Sequence, residues 1–412
     1  MKKEEFYREK KETTIGPLEG VRVLEATTSG AGPWAGTLLA DMGAEVIKID
    51  QPEAGDVVRR LPPFLKPEMP QETGLFHLSI NRNKKNITLK LSSDEGAEIF
   101  KRLALHMDII IENFKPGTMD KWGIGYKAIK QIHPAIIYTS VSGFGQYGPL
   151  HTRAGYDGVG QAMGGLMNIT GYPDRPPVKT GNAIADNITG WLGAFVSVCA
   201  LYYRKNTGEG QHCDVNLLDS ILYTSEVGII GAANANYHLK RIGHHPLTFR
   251  SVYECKDGRY AYLMPLLDQH WKKLCQLINR EDLIDDPRTH AATVRLQNKA
   301  VCEEAIETWI KDKTVDEVIS LLGSEGLVCA PVLDFAEIVK NEHIIAREMV
   351  TETEHPAAGK IKIYGVAPKL SKTPGRVRSP APLLGQHNEE VYLGRLKMSR
   401  EEFDRYKSSG II

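Results

Sequence analysis

Between residues 20 and 141 the chain repeats one pattern: a short β-branched run, a polar loop, a helical stretch, then another β-branched run. Gly20–Glu25 reads as a strand and Ser29-Gly-Ala-Gly-Pro33 as a glycine turn. Pro33 suits the first position of a helix, Trp34–Met42 is that helix, and Gly43 ends it. Glu45–Ile49 is a second strand closed by Asp50. Strand, helix, strand in that order requires parallel pairing with a crossover, so the expected class is α/β. Asn86–Leu91, Asp108–Glu112 and Ile136–Val141 read as further strands, and the apolar run in Asp108–Glu112 fits a sheet covered on both faces. Ser92-Ser-Asp-Glu95 reads as a capping box opening a helix to about Met107, and Tyr126–Ile132 as a short helix. The loops Thr27–Gly32, Gln51–Asp56, Asn113–Gly117 and Ser142–Gly148 then share the carboxyl edge, where open α/β sheets bind ligands.

Residues 155–190 are dense in Gly, Pro, Asn and Thr and set Asp157 and Asp186 among small, uncharged neighbours. The apolar run Trp191–Tyr203 that follows reads as a buried helix. Each acid has a plain reading as a helix cap, Asp186 for a helix starting at Asn187 and Asp157 for one starting at Gly158. Each also has a chemical reading. A carboxylate at a helix N-terminus is held ionised and can attack a reactive carbonyl. Ala183, Ala185 and the glycines leave room for a substrate.

At 412 residues, 42% apolar and 25% charged, the chain has material for two domains of an ordinary globular protein. Basic and acidic residues balance at 51 each, so no global field draws nucleic acid or a membrane surface. Six cysteines include no CxxC pair and no zinc spacing, which excludes a recognisable metal site and fits reduced, buried thiols in a cytoplasmic setting. The charged start MKKEEFYREKKETT lacks the apolar core of a signal peptide, and no uninterrupted apolar run approaches the ~18–20 residues of a membrane span. Asn206–Gly210 breaks the apolar helix, and Gln211–Leu217 reads as a strand with a helix after it. Val252–Leu263 reads as a hairpin turning at Asp257-Gly258. Helical patterns follow at His270–Ile278, Arg295–Lys311 and Val315–Leu322, and Ala330–Leu333 is extended. Residues 226–330 thus read as a smaller α+β domain.

Gly30, Gly32 and Gly36, with Asp50 ending the next strand, partly match a dinucleotide fingerprint with its third glycine one residue late. NAD binding and a close-approach turn both remain open. The basic run Asn81–Asn86, with Lys90, Lys115 and Lys121, offers cations for a polyphosphate or is a solvated turn. In Asn113–Gly117 the ring of Phe114 is placed to stack on a base and Lys115 to meet a phosphate.

Pro17–Leu24, Ala31-Gly-Pro33, Gly43–Ile49, Gly55-Asp56, Asn83-Lys-Lys85, Glu112–Gly117, Val141–Pro149, Gly155-Tyr-Asp157, Thr207–Gln211 and Leu384–His387 follow one another in a distinctive order. In that order the chain resembles the class III CoA-transferases, which include formyl-CoA:oxalate and carnitine CoA-transferases and also 2-methylacyl-CoA racemase. The resemblance implies a Rossmann-like large domain built from residues 1–225 and 331–412, with 226–330 as the small domain, and an interlocked homodimer. It implies an enzyme that moves CoA from an acyl-CoA donor to a carboxylic acid acceptor. Asp186 would be the catalytic nucleophile, passing through an aspartyl anhydride and an aspartyl-CoA thioester. Coenzyme A is then a substrate, with no permanently bound cofactor. Its contacts would fall at Gly30, Ala31, Gln51, Leu89, Lys90, Leu91, Ser92, Asn113, Phe114, Lys115, Lys121, Ser142, Gly143, Phe144 and Gly145. N–H groups near Gly30–Gly32 and Phe144-Gly145 would stabilise oxyanions. Gln51 and Ser142 stand where some members are basic. Where some members carry a run of glycines, this chain has Arg241–Pro246 and Phe249-Arg250, which makes His244 or Arg250 a contact for the acid substrate. Three rivals remain: a racemase, an NAD-dependent oxidoreductase, and a non-catalytic acyl-CoA binder. The racemases carry a histidine in the GxD element, where this chain has Tyr156.

Overall fold

The computed structural model describes residues 1–243, 249 and 251–412. They form two units: residues 1–166, 179–226 and 342–412 make the first, residues 167–178 and 227–341 the second.

In the first unit, β1 (Arg22–Ala26), β2 (Glu45–Asp50), β3 (Lys84–Thr88), β4 (Ile109–Glu112), β5 (Ile137–Ser142) and β6 (His212–Asn216) form one sheet. All its pairs are parallel, in the order β3-β2-β1-β4-β5-β6. The order reverses between β1 and β4, which opens a crevice at the carboxyl ends of those strands. The pleat divides the apolar residues into two cores. Leu24, Ile47, Ile87 and Ile110 face one side with helix α2 (Asp94–Ala104), and Val23, Val46, Ile109 and Ile137 face the other with α1 (Ala31–Asp41). Helices α3 (Tyr126–Ile132), α4 (Asp157–Met163), α5 (Ile184–Thr207) and α6 (Leu217–Leu222) also belong to this unit, beside several shorter helices.

Several boundaries differ from expectation. Helix α1 starts at Ala31, not after Pro33, and Gly30 is its N-cap. Ser93, not Ser92, caps α2, accepting the Gly96 N–H at 3.0 Å; because the third helical residue is glycine, no reciprocal box forms. Strand β3 is Lys84–Thr88 rather than 86–91. The basic run is neither a solvated turn nor a set of free cations. Arg82 is buried against Asp41 (2.7 Å), Lys84 against Glu25 (2.9 Å), and Lys85 pairs with Glu45 and Glu390.

Helix α5 is 24 residues long, and by length and apolarity alone it meets the requirement for a membrane span. It is not buried all round. Gly190, Gly193 and Ala194 form its inner stripe, Gly190 and Gly193 meeting Ala31, Trp34 and Ala35 of α1. Trp191, Phe195 and Tyr202 stand outside at 49%, 63% and 71% exposure. Cys199 is exposed on the same helix, whereas Cys255, Cys275 and Cys302 are buried, and all six thiols are free.

In the second unit, β7 (Ser251–Glu254) and β8 (Tyr260–Leu263) are antiparallel, joined through Asp257-Gly258 with Gly258 at φ +75°. The extended Ala330 segment is β9 (Cys329–Pro331), which pairs with β8. That pairing carries the unit past residue 330, to Asn341. Helices α7 (Asp268–Leu277), α8 (Lys299–Ile310) and α9 (Val315–Ser324) surround a core of Trp271, Leu274, Ile306 and Val318. The expected helix over 295–311 is two helices, parted at Asn298.

The chain then returns to the first unit through the hairpin of β10 (Val350–His355) and β11 (Gly359–Tyr364), and α10 (Arg400–Ser408) follows. The free edge of β3 is covered by residues 385–388. His387 Nδ1 accepts the Asn86 N–H at 3.1 Å, and Asn388 Oδ1 accepts the Thr88 N–H at 2.9 Å.

Candidate active site

The loops after β1, β4 and β5 meet around a cavity of about 200 Å³, walled by Thr28–Ala31, Asn113–Pro116, Ser142-Gly143, Arg153–Tyr156 and Asp186. It lies at the reversal of strand order. Asp186 enters from the first turn of α5. Its carboxylate lies against the Cα of Gly30, where any Cβ would overlap Asp186 Oδ2, so the approach needs glycine. The first bond of α1 runs from Trp34 N–H to Gly30 O, so Ala31 and Gly32 keep N–H groups without an intrahelical acceptor. Those donors and the positive end of the helix dipole stand beside the carboxylate.

No described residue donates a hydrogen bond to the Asp186 side chain. Burial pushes its carboxyl up to about 7, and Asp157 adds to the rise against the pull of Lys179. Neither acid caps the helix expected of it. The N-cap of α5 is Ala183, whose side chain makes no cap bond, and α4 begins at Asp157 itself. Asp157 instead serves α5 from outside: its Oδ1 accepts the Ala185 N–H at 2.9 Å. Its Oδ2 accepts from Gln161 Nε2 at 2.8 Å and pairs with Lys179 at 3.1 Å.

Of the residues expected to contact CoA, Gly30, Ala31, Asn113, Phe114, Lys115, Ser142 and Gly143 line the cavity with Asp186. Gln51, Leu89, Lys90, Leu91, Ser92, Lys121, Phe144 and Gly145 do not line it. The side chains of Leu89 and Leu91 are buried in the core, while Gln51, Lys90, Ser92 and Lys121 are exposed. The Gly145 N–H is engaged by Ser142 Oγ at 2.9 Å and is therefore not a free oxyanion donor. The Asn113 amide is engaged at both ends, accepting the Thr28 N–H (2.8 Å) and donating to the Thr28 carbonyl (2.7 Å). The Phe114 ring already meets Trp122 edge-on, 5.1 Å between centroids. Its N–H donates to Glu112 Oε2 at 2.9 Å, and burial pushes that carboxyl up to about 7 in spite of its bonds to Ser140 and Phe114.

Arg153 and Ala154 were passed over in the sequence although they directly precede the Gly155-Tyr-Asp157 motif. The guanidinium of Arg153 is exposed, lines the cavity and has no partner among the described residues. His244 and Arg250 lie outside the described residues.

The glycine turn is no dinucleotide cradle. Gly32 packs on Thr27 and Asn113, and Gly36 sits over the Glu25 carboxylate. Asp50, where a ribose would bind, is buried and accepts from Arg59 Nε and Asn86 Nδ2, both at 2.9 Å.

The sequence profile of CoA-transferase family III matches residues 18–388. The chain belongs to that family. It is 34% identical to the succinyl-CoA–D-citramalate CoA-transferase of Chloroflexus aurantiacus, over 96% of this chain and 98% of the relative. It is 35% identical to the formyl-CoA:oxalate CoA-transferase of Streptomyces coelicolor, over 97% of this chain and the full length of that one. The succinyl-CoA:glutarate CoA-transferase of Mus musculus is also 35% identical, over 97% and 91% of the two chains. Among solved structures, a CAIB/BAIF family protein from Brucella suis superposes with a TM-score of 0.82 at 33% identity, covering 92% of this chain and 99% of its own.

Proposed function

We propose that the protein transfers CoA from an acyl-CoA to a carboxylic acid with Asp186 as nucleophile. One observation carries the reading: an unpartnered carboxylate lies beside the free N–H groups of a helix N-terminus in the wall of a cavity at the sheet's switch point.

The Asp186 carboxylate attacks the thioester carbonyl. The C–S bond breaks, CoA leaves as thiolate, and a mixed anhydride forms. The thiolate then attacks the aspartyl carbonyl, releasing the donor acid as carboxylate and leaving CoA bound to Asp186 as a thioester. The acceptor carboxylate attacks that thioester and CoA thiolate leaves again. Attack of the thiolate on the acceptor's acyl carbon yields the product and regenerates Asp186. No proton is taken up or lost, and among the described residues no histidine lines the cavity. The Ala31 and Gly32 N–H groups serve each tetrahedral oxyanion. The anhydride hydrolyses in water, so the reaction needs the enclosure that the surrounding loops begin to supply. Tyr156, in the place of a racemase histidine, weighs against α-proton transfer.

Lys115 and Arg153 offer cations to an anionic ligand. The remainder of CoA runs past Gln51 and along the backbone of Leu89–Ser92, with Lys121 near its phosphates. The names of the relatives favour short dicarboxylic acids such as succinate as donors. The exposed Trp191, Phe195 and Tyr202 favour a second copy of the chain as their cover, and sedimentation of Phe195→Glu beside the wild type tests that. Function is tested by incubating succinyl-CoA with the enzyme and hydroxylamine, then mapping the modified peptide. A hydroxamate at Asp186 is expected, and unmodified Asp186 overturns the reading. A screen of acids against acyl-CoA donors, read by mass, then identifies the pair.

A further inference from the structure

The turn that presents Gly30 to Asp186 is held by side chains from three other parts of the unit. Lys48 Nζ donates to the Thr27 carbonyl at 2.7 Å. The Asn113 amide takes both the N–H and the carbonyl of Thr28, at 2.8 and 2.7 Å. Asp56 Oδ1 accepts the Thr28 hydroxyl at 2.8 Å, the Ser29 N–H at 3.0 Å and the Val58 N–H at 3.2 Å. Its Oδ2 pairs with Lys48 at 3.0 Å, and both side chains are sealed from solvent. Each backbone polar group of Thr28 therefore ends on one side chain, and the Ser29 N–H on another. The chain needs this restraint, because Ser29 sits at φ +69°, a left-handed conformation that a residue with a Cβ keeps only where its surroundings over-determine it. The next residue is Gly30, which touches Asp186 and caps α1.

We infer that Asp56 and Asn113 are positioning residues for the reaction at Asp186. They clamp Thr28 and Ser29, and the clamp aims the N-terminus of α1 at the oxyanion formed there. Neither acts on the reacting atoms. Donors fixed in advance need no reorganisation when charge develops, so loosening the clamp slows the chemical step without loosening substrate binding. The inference rests on Asp186 being the nucleophile.

Five full-length variants test it, each read by the single-turnover rate of Asp186–CoA thioester formation from succinyl-CoA, by KM and by thermal midpoint. Thr28→Val removes only the hydroxyl bond to Asp56 and is expected to slow thioester formation about 3–10-fold. Asn113→Ala and Asp56→Ala are expected to slow it about 10²-fold, the loss typical of an oxyanion donor. KM for the acyl-CoA should stay within about 3-fold. Asp56→Asn keeps the Oδ1 acceptor and should recover most of the rate while still lowering the thermal midpoint, because it leaves Lys48 short of a partner. The Asp56→Ala, Asn113→Ala double variant should be little slower than the worse single one, as for residues that act as a unit. Wild-type rates in Thr28→Val and Asn113→Ala overturn the inference. So does a raised KM with unchanged rate in Asn113→Ala, which would make it a CoA contact. If the wild type forms no thioester at Asp186, the nucleophile reading falls and the clamp falls with it. If the wild type forms the thioester and the variants match it, only the clamp falls.

Discussion

The Cα of Gly30 rests against the carboxylate of Asp186, so closely that one added methyl group would overlap Oδ2. The backbone of Gly30 itself is in the right-handed region, at φ −108°, ψ −74°, which alanine tolerates. Gly30→Ala is therefore expected to fold, with its thermal midpoint within a few degrees of the wild type. The methyl displaces the carboxylate from the α1 donors. Thioester formation should fall at least ~10²-fold, the scale of a misplaced nucleophile, as measured in a single turnover.

Asp186 also links stability to pH. Its folded carboxyl titrates at about 7, against ~3.9 for an unfolded aspartate. The folded protein thus binds the proton more tightly than the unfolded chain. The contribution is fully present below about pH 4 and is lost as pH rises through 7. Asp186→Asn removes the dependence. At pH 8 the variant should be the more stable protein, by about 1–2 kcal/mol after discounting for the carboxyl's partial exposure to water. Near pH 4 the two should coincide. Urea unfolding at both pH values checks this. Wild-type acylation should rise with pH and level off above about 7.

Asp157 holds the first turn of α5 and raises the Asp186 carboxyl. The two roles separate by substitution. Asp157→Asn keeps an acceptor for the Ala185 N–H but removes the charge, so the acid limb of the pH–rate profile should move to lower pH. Asp157→Ala loses the cap as well and should cost a further ~1 kcal/mol, the usual value of an N-cap bond. Rate profiles of both variants, beside their urea midpoints, decide the assignment.

Lys48 lies at the centre of a sealed group of charges. Burial opposes its charged form, but Asp56, Asp50 and Glu25 outweigh burial and hold its pKa above the ordinary lysine range. Lys84 nearby faces Glu25 with Lys48 as a competitor, and burial brings it down to about 8. Lys48→Met would leave those carboxylates short of a cation and should destabilise the protein by about 3–5 kcal/mol. Urea unfolding of the variant beside the wild type at pH 8 checks this, and equal midpoints would refute it.

What the sequence disclosed about this fold follows from the range of the forces involved. Strand β4 and helix α3 were readable because the apolar run Ile109–Ile111 and the spacing of apolar residues in Tyr126–Ile132 are local signals. Asp186 stood out as a candidate because small residues around an acid are a local pattern, and the structure sets it in a cavity wall. The fate of Arg82, Lys84 and Lys85 was not, since their partners lie 41, 59, 40 and 305 residues away. Local composition made that run look solvated. The engagement of the Asn113 amide on Thr28, 85 residues back, was not legible, because nothing near Asn113 in sequence shows it. Helix α5 was read as buried from its apolar content, yet its small residues face inward and its large ones outward, because glycine lets α1 come close. The membership of β9 in the smaller sheet depends on its pairing with β8, about which an isolated Ala330-Pro-Val-Leu says nothing.

The cover on β3 has a consequence for how the protein is made. Asn86 and Thr88 wait for groups 301 and 300 residues downstream, His387 and Asn388. Lys90 likewise waits for the carbonyl of Ile411. At a synthesis rate of about 5–20 residues per second, a ribosome delivers that strand tens of seconds before its cover. Throughout that interval the nascent sheet exposes an open edge, the kind of edge that recruits other strands. The contiguous residues 227–341 of the second unit are by then already synthesised. The unit that holds the six-stranded sheet therefore matures last, and a message cut short before residue 385 yields a chain with Asp186 present and its sheet unsealed.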